Sequence, residues 1–300
     1  MSKTLPPNLN APAVTLQLDP YAPAEIAARV ETAGVAKARL DLLSLLTLGG
    51  LAGAFIAIGA QLSTVVAIDS TLGYGPTRLL AGVAFSIGLI LVVIAGAELF
   101  TGNTLLVMAW LGRKVTTLAL LRNWGVAYVA NFGGALATAI LVFASGQWSL
   151  AGDSVGASAL LTANAKVNLS FGDAVVRGIL CNALVNLAVW LCFSARSNVD
   201  KIFAIIPPIA GFVAAGFEHS IANMYFIPIG IWLREKSTVV QVAGVDAADL
   251  DRLTWGGFLL HNLLPVTIGN IIGGGLLVAA VYWLVYLRPA QTLKGPRVGQ

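Results

Sequence analysis

Gly216-Phe217-Glu218-His219-Ser220-Ile221-Ala222-Asn223 sits in the middle of an apolar run, Ile202 to Leu233, of about thirty residues, enough to cross a bilayer with some to spare. The eight residues carry a glutamate, a histidine and an asparagine. Ionisable side chains at that depth are costly unless they face a polar cavity or a partner. Lipid-exposed backbone tolerates no break there either, because each unpaired amide costs several kcal/mol. Pro207-Pro208 before the cluster and Pro228 after it remove further helix donors. The stretch therefore reads as two half-helices meeting at a non-helical knot that faces a pore.

The same knot occurs earlier. Gly96-Ala97-Glu98-Leu99-Phe100-Thr101-Gly102-Asn103 interrupts the apolar run from Leu79 to Leu111, and both stretches read Gly-x-Glu-x-x-x-x-Asn, 120 residues apart. Asn123, Asn131 and Gly134 repeat the spacing of Asn262, Asn270 and Gly273. Paired interruptions in the two halves of a membrane protein point to an inverted repeat with its binding site at the midplane.

Composition agrees with a membrane setting. The chain is 57% hydrophobic and 11% charged over 300 residues, against roughly 25% charged in an average soluble domain. Cys181 and Cys192 lie in one apolar run, so neither a disulfide framework nor a metal site is indicated, and no cofactor is expected. A net charge of +4 is no argument for a nucleic-acid partner; the placement of Lys and Arg is informative about orientation instead.

Taken in order, residues 1–20 have no periodicity and are expected to be loosely draped. No signal peptide is visible, since the first long apolar run begins at Leu42. Pro23 to Leu40 reads as a short amphipathic surface helix or as a solvated leader. Six spans are expected: Leu42–Val66, Thr77–Leu111 broken at Glu98–Gly102, Thr116–Ala144, Gly172–Phe193, Lys201–Leu233 broken at Glu218–Ile221, and Gly256–Tyr286. The domain reading is thus a cytoplasmic N-terminal segment (1–41), a six-helix channel domain (42–287) and a cytoplasmic tail (288–300). All seven tryptophans fall near predicted span ends, as an interfacial aromatic belt requires. Of the 18 Lys and Arg, twelve fall on the side of the termini and six opposite. By the positive-inside rule both termini are expected in the cytoplasm, and a multipass location in the plasma (bacterial inner) membrane is expected.

Few side chains could do chemistry. His219 is one of two histidines, and near its ordinary pKa of about 6.5 a small change of environment switches its charge. It reads as a proton-donating or anion-contacting group at the pore centre, or as a neutral ring tying off broken backbone. His261, close to Trp255, reads as interfacial. Thr101 lies in the first knot as His219 does in the second, so the repeat would bring hydroxyl and imidazole together; otherwise it caps the following half-helix. Glu98 and Glu218 are expected to accept hydrogen bonds from the orphan amides of the broken turns, because a carboxylate lining the conduit would repel an anion. Lys166 is the only basic residue in the polar connection from Ser145 to Gly172. It is either a solvated lysine or an anion attractor at the mouth. No His-Glu-x-x-His, Gly-x-Ser-x-Gly or paired-carboxylate signature is present, so no enzyme is indicated.

At these residues the chain resembles the formate/nitrite transporter family. The resemblance is carried by Ile94 to Gly102, Gly178 to Val185, Gly216 to Asn223 and Pro265 to Asn270, and covers roughly residues 24–287. It implies an all-α, aquaporin-like six-helix protomer with helices 2 and 5 broken, assembled in the lipid as a homopentamer with one anion pore per subunit. It further implies His219 as the central histidine, Thr101 as its partner and Lys166 as a vestibule lysine. Phe85 and Phe212 with Leu89, Leu99 and Val185 match apolar rings above and below the histidine, Phe100 adjoins them, and Asn182 and Asn223 match polar groups beside the pore. The second signature usually continues Val-Cys where this chain has Val185-Asn186, so a more polar pore is expected there.

The function expected is a channel or proton-coupled transporter for small monovalent anions, formate first. The Phe226-Ile227-Pro228-Ile229-Gly230 run resembles formate-type members, and Phe100-Thr101-Gly102-Asn103 leans toward nitrite-type ones. Nitrite is therefore the near alternative and hydrosulfide a further one. A neutral-solute channel lacks its Asn-Pro-Ala motif, and a membrane enzyme is the remaining class.

Overall fold

The computed structural model describes residues 19–288. The loose stretch expected over residues 1–20 and the tail expected over 288–300 lie, but for their innermost residues, outside the described residues. Among the described residues there is helix and no strand. The helices are α1 (Pro23–Ala38), α2 (Leu42–Ala67), α3 (Tyr74–Gly96), α4 (Phe100–Leu111), α5 (Thr117–Ala144), α6 (Ser154–Val167), α7 (Phe171–Ser194), α8 (Asn198–Ala214), α9 (Ser220–Leu233), α10 (Ser237–Ala243) and α11 (Gly257–Leu287). Five of them, α2, α3, α5, α7 and α11, are long and apolar enough to cross a membrane, and α4 and α9 are shorter apolar helices.

Local chemistry sets the helix starts. Asp41, Thr116 and Ser170 each accept a backbone N–H from the first turn of α2, α5 and α7, as N-caps do. Ser197 and Asp200 close a reciprocal box at α8. The two interruptions begin alike. Gly96 and Gly216 have φ of +85° and +72°, a left-handed turn that glycine enters without steric cost, and the chain then runs extended before α4 and α9 begin.

Two halves of like construction result. In the first, α2 packs on α3 and α5, and α1 packs on α4; in the second, α7 packs on α8 and α11, and α6 packs on α9. α3 and α8 join the halves, with Phe85, Leu89, Ile205, Ile209 and Phe212 in the shared core. Matching glycines let the outer pairs touch. A Cβ on Gly134 of α5 would fall on the Gly50 carbonyl of α2, and one on Gly273 of α11 on the Ile179 carbonyl of α7. In lipid, where apolar burial does not drive helices together, such backbone contact does much of the holding.

Two expectations change. The stretch Ser145–Gly172, read as a polar connection, contains α6, whose Val155, Ala159, Leu160 and Ala163 are buried. The N-terminal helix exists as α1, but it is no leader at the surface. Ile26, Ala27, Val30 and Gly34 are buried against the bundle, and Glu31 pairs with Lys114 at 2.5 Å.

Gly134→Ala and Gly273→Ala should each lower the thermal stability of the purified protein, by about 1–3 kcal/mol if they behave as overpacked core sites. Gly133→Ala, which meets open space, should leave the melting curve in place. Equal melting of all three would show that the close contacts carry no stability.

Candidate pore and its central histidine

Each interruption leaves backbone groups that the helices cannot pair, and asparagines from the neighbouring helix supply the partners. Asn131 of α5 accepts the Phe100 N–H at 2.9 Å and donates to the Gly49 and Glu98 carbonyls at 2.8 and 2.9 Å. Asn270 of α11 accepts the Ser220 N–H at 2.9 Å and donates to the Gly178 and Glu218 carbonyls at 2.8 and 3.0 Å. One carboxamide thus pairs an N–H and a carbonyl at each break and ties them to a carbonyl of a continuous helix.

The glutamates do something other than the expected amide capping. Glu98 takes Lys37 of α1 on one oxygen at 2.6 Å and the Asn103 amide on the other at 2.9 Å. Glu218 takes Lys166 of α6 on one oxygen at 2.8 Å and the Asn223 amide on the other at 2.7 Å. Asn123 donates to the Lys37 carbonyl and Asn262 to the Lys166 carbonyl. Their amide oxygens accept from Asn103 and Asn223. Each carboxylate is nine-tenths or more buried, and a buried carboxylate persists when paired and hydrogen-bonded. The two quartets, Lys37–Glu98–Asn103–Asn123 and Lys166–Glu218–Asn223–Asn262, are copies of one device.

His219 is the N-cap of α9. Its Nδ1 accepts the Ala222 N–H at 3.1 Å, and its Nε2 lies 2.9 Å from Thr101 Oγ1. With Nδ1 acting as acceptor, the neutral ring carries its proton on Nε2 and directs it at Thr101. A second proton would go to Nδ1 at the expense of the cap. Phe212 stacks on the imidazole at a centroid distance of 6.0 Å, and Phe85 meets Phe212 edge-on at 5.5 Å. His219, Phe212 and Phe85 line a cavity of about 90 Å³ that Lys166, Asn223 and Arg78 also line. A larger cavity, about 950 Å³, is lined by Lys37, Glu98, Leu89 and Leu99.

The other sequence candidates divide. Asn182 and Val185 are fully buried and line neither cavity. Asn182 donates to the Thr101 and Asn270 carbonyls at 3.3 and 2.6 Å. Phe100 also lines neither cavity; its ring packs edge-on against Trp124 and Tyr128 of α5. Asn186 does not make a conduit more polar. Its amide donates to the Thr101 carbonyl at 3.0 Å and to the Asn182 carbonyl and side chain at 2.9 Å, while its oxygen lies 3.1 Å from Thr104 Oγ1, whose proton goes to the Thr101 carbonyl. Thr101 does not cap α4, which begins without a side-chain cap. His261 is exposed on α11. Sequence reasoning missed Lys37, counting it only for orientation. The signal was present: Lys37 and Lys166 are 129 apart, as are Gly49 and Gly178.

Apolar helices in two like halves, each with a helix broken at a buried glutamate, and a histidine where the breaks meet, define a multipass membrane transport protein. The chain matches the formate/nitrite transporter family over residues 24–284. It is 44% identical to the formate channel FocA of Escherichia coli (strain K12) over 269 residues, 89% of this chain and 94% of that one. It is 38% identical to a probable formate transporter of Methanothermobacter thermautotrophicus, over 89% of this chain and 97% of that one. A solved pentameric formate channel with formate bound superposes with a TM-score of 0.75 at 38% identity, covering 82% of this chain and 98% of that one. The chain belongs to the formate/nitrite transporter family.

Replacing Asn270 with alanine strands the Ser220 N–H and the Glu218 carbonyl at the break, each worth roughly 1–3 kcal/mol when left unpaired. Asn131→Ala should be similarly damaging, and both should melt well below wild type. Wild-type melting in either variant would mean that the breaks need no side-chain partner.

Proposed function

We propose that the protein is a channel for small monovalent anions, formate first, and not an enzyme. Relatives that carry formate in their names and match most of the chain support formate over nitrite. Nitrite and hydrosulfide remain the alternatives to be measured beside it. α8 and α9 together make a sixth crossing, both termini are cytoplasmic in the inner membrane, and five copies assemble in the lipid, each with its own pore. The single observation that carries the reading is the His219–Thr101 pair, whose imidazole lines a small cavity together with Phe85 and Phe212.

A bare anion faces a Born penalty in a dry constriction, and a neutral weak acid a far smaller one. Hydrophobic narrowings also block hydrated ions by dewetting. His219, held by Thr101, stabilises the anion at the centre and couples its passage to a proton, and the N-terminal ends of α4 and α9 add positive dipole ends. Leu89 and Leu99, in the wall of the larger cavity, add apolar surface, while Asn223 and Lys166 line the smaller cavity beside His219.

Uptake of formate, nitrite and acetate into proteoliposomes at pH 5 and pH 7.5, with internal pH followed, tests this. Formate uptake should rise at the acid pH and acidify the lumen. His219→Asn keeps a residue able to cap α9 and removes the titrating ring, so it should abolish the pH dependence while the oligomer stays assembled. Retained wild-type pH dependence in that variant would leave the histidine a purely structural cap. Phe212→Ala should raise leak of other anions by opening the dry ring; an unchanged selectivity profile would reduce Phe212 to packing.

A further inference from the structure

Lys166 is the basic residue that the sequence offers at its mouth, yet its charge is already spent. Its ammonium sits 2.8 Å from Glu218, both side chains largely buried, and it lies 5.3 Å over the Phe226 ring. Glu218 is in turn held by Asn223 and Asn262. A pair so close presents little net field to an ion arriving from solvent. Ser63 and Thr64, in the wall of the same cavity, both give their hydroxyl protons to the Ala60 carbonyl and offer an anion no donor.

Arg78 is different. It stands near the start of α3 and lines the same cavity as Lys166, Phe85, Phe212 and His219. Its Nη2 donates to the Val213 carbonyl at 2.6 Å, at the C-terminal end of α8. Among the described residues no carboxylate lies within ion-pair distance of it. Its Nε–H is enclosed with no acceptor in the protein, and a buried donor of a charged group left unmade is unfavourable. A guanidinium is always charged and presents parallel N–H groups that suit a two-oxygen anion. The Val213 bond fixes the group without cancelling its charge.

We infer that Arg78, and not Lys166, is the group that draws small oxyanions such as formate and nitrite to this mouth and holds them above the Phe85–Phe212 ring. Lys166 and Glu218 then act as a neutral strut that fixes the break before α9. The inference rests on the anion-channel reading above, and deepens it by naming the residue that sets capture.

The test is concentration-dependent uptake of formate and of nitrite by proteoliposomes of the full chain, at low and at high ionic strength. Arg78→Gln retains an amide able to reach the Val213 carbonyl and loses the charge. It should raise the apparent KM for both anions about threefold to tenfold at low salt, leave the maximal rate close to wild type, and converge on wild type as salt screens the field. Arg78→Lys should keep most of the salt dependence. An unchanged KM at both salt concentrations in Arg78→Gln overturns the assignment while the channel reading stands. So does a fall in maximal rate that salt does not alter and that Arg78→Lys shares, because it would make Arg78 a packing group. Wild-type vesicles that take up neither anion overturn the channel reading and the assignment together.

Discussion

A helix that stops inside a membrane leaves amides and carbonyls that no water can reach, and this constraint governs the protein. The cost of each unpaired group is several kcal/mol, so a break exists only where partners are supplied. Asn131 and Asn270 supply them, each binding three backbone groups across two elements. Because each carboxamide sits on a helix already packed by a glycine contact, the break is held by the scaffold and not by its own chain. The glutamates that mark the breaks in the sequence come second. They tie α1 and α6 to the breaks through Lys37 and Lys166, which explains why two short helices that are no candidates for membrane crossing belong to the fold.

Much of this was legible in the sequence. Hydropathy placed the long helices within a few residues, and the doubled Gly-x-Glu-x-x-x-x-Asn placed both breaks. The echo Asn123, Asn131, Gly134 against Asn262, Asn270, Gly273 pointed to real partners, though not to what they bind. Pairing across α5 and α4, or α11 and α9, is a tertiary fact that spacing does not carry. α6 was missed because a 14-residue helix with Ser154, Asn164 and Lys166 on it has too weak an apolar run for a hydropathy reading. Phe100 was misjudged because a residue next to a break can point inward or back into the bundle, and Asn182 because an asparagine in the middle of α7 can face a conduit or, as it does, neighbouring backbone carbonyls.

The repeat also corrects the pairing of His219 with Thr101. Aligning Glu98 with Glu218 makes Leu99 the counterpart of His219 and Ile221 the counterpart of Thr101. The two polar residues meet at 2.9 Å but are not symmetry mates. The caps differ accordingly. α4 starts at Leu99 with no side-chain cap, while α9 starts at His219, whose ring accepts the Ala222 amide.

This division separates scaffold from site. Wherever the structure must solve the problem of broken backbone, both halves use the same residues: Lys, Glu, two asparagines and a capping asparagine in each. At the centre the halves differ, and one such difference is Thr101. Its hydroxyl meets His219, and its carbonyl receives Thr104, Asn182 and Asn186 at 2.6, 3.3 and 3.0 Å. Three donors on one carbonyl fix the peptide that carries the hydroxyl. A two-fold repeat alone would give two leucines or two histidines facing each other at the centre. Replacing one half's ring by an aliphatic side chain leaves a single imidazole, with one nitrogen committed to backbone and the other to a rigidly held hydroxyl. A lone titratable group of fixed tautomer is what a site needs if it is to treat one ion at a time, and the symmetric lattice of asparagines is what lets that asymmetry sit in an apolar interior without unravelling the helices that carry it.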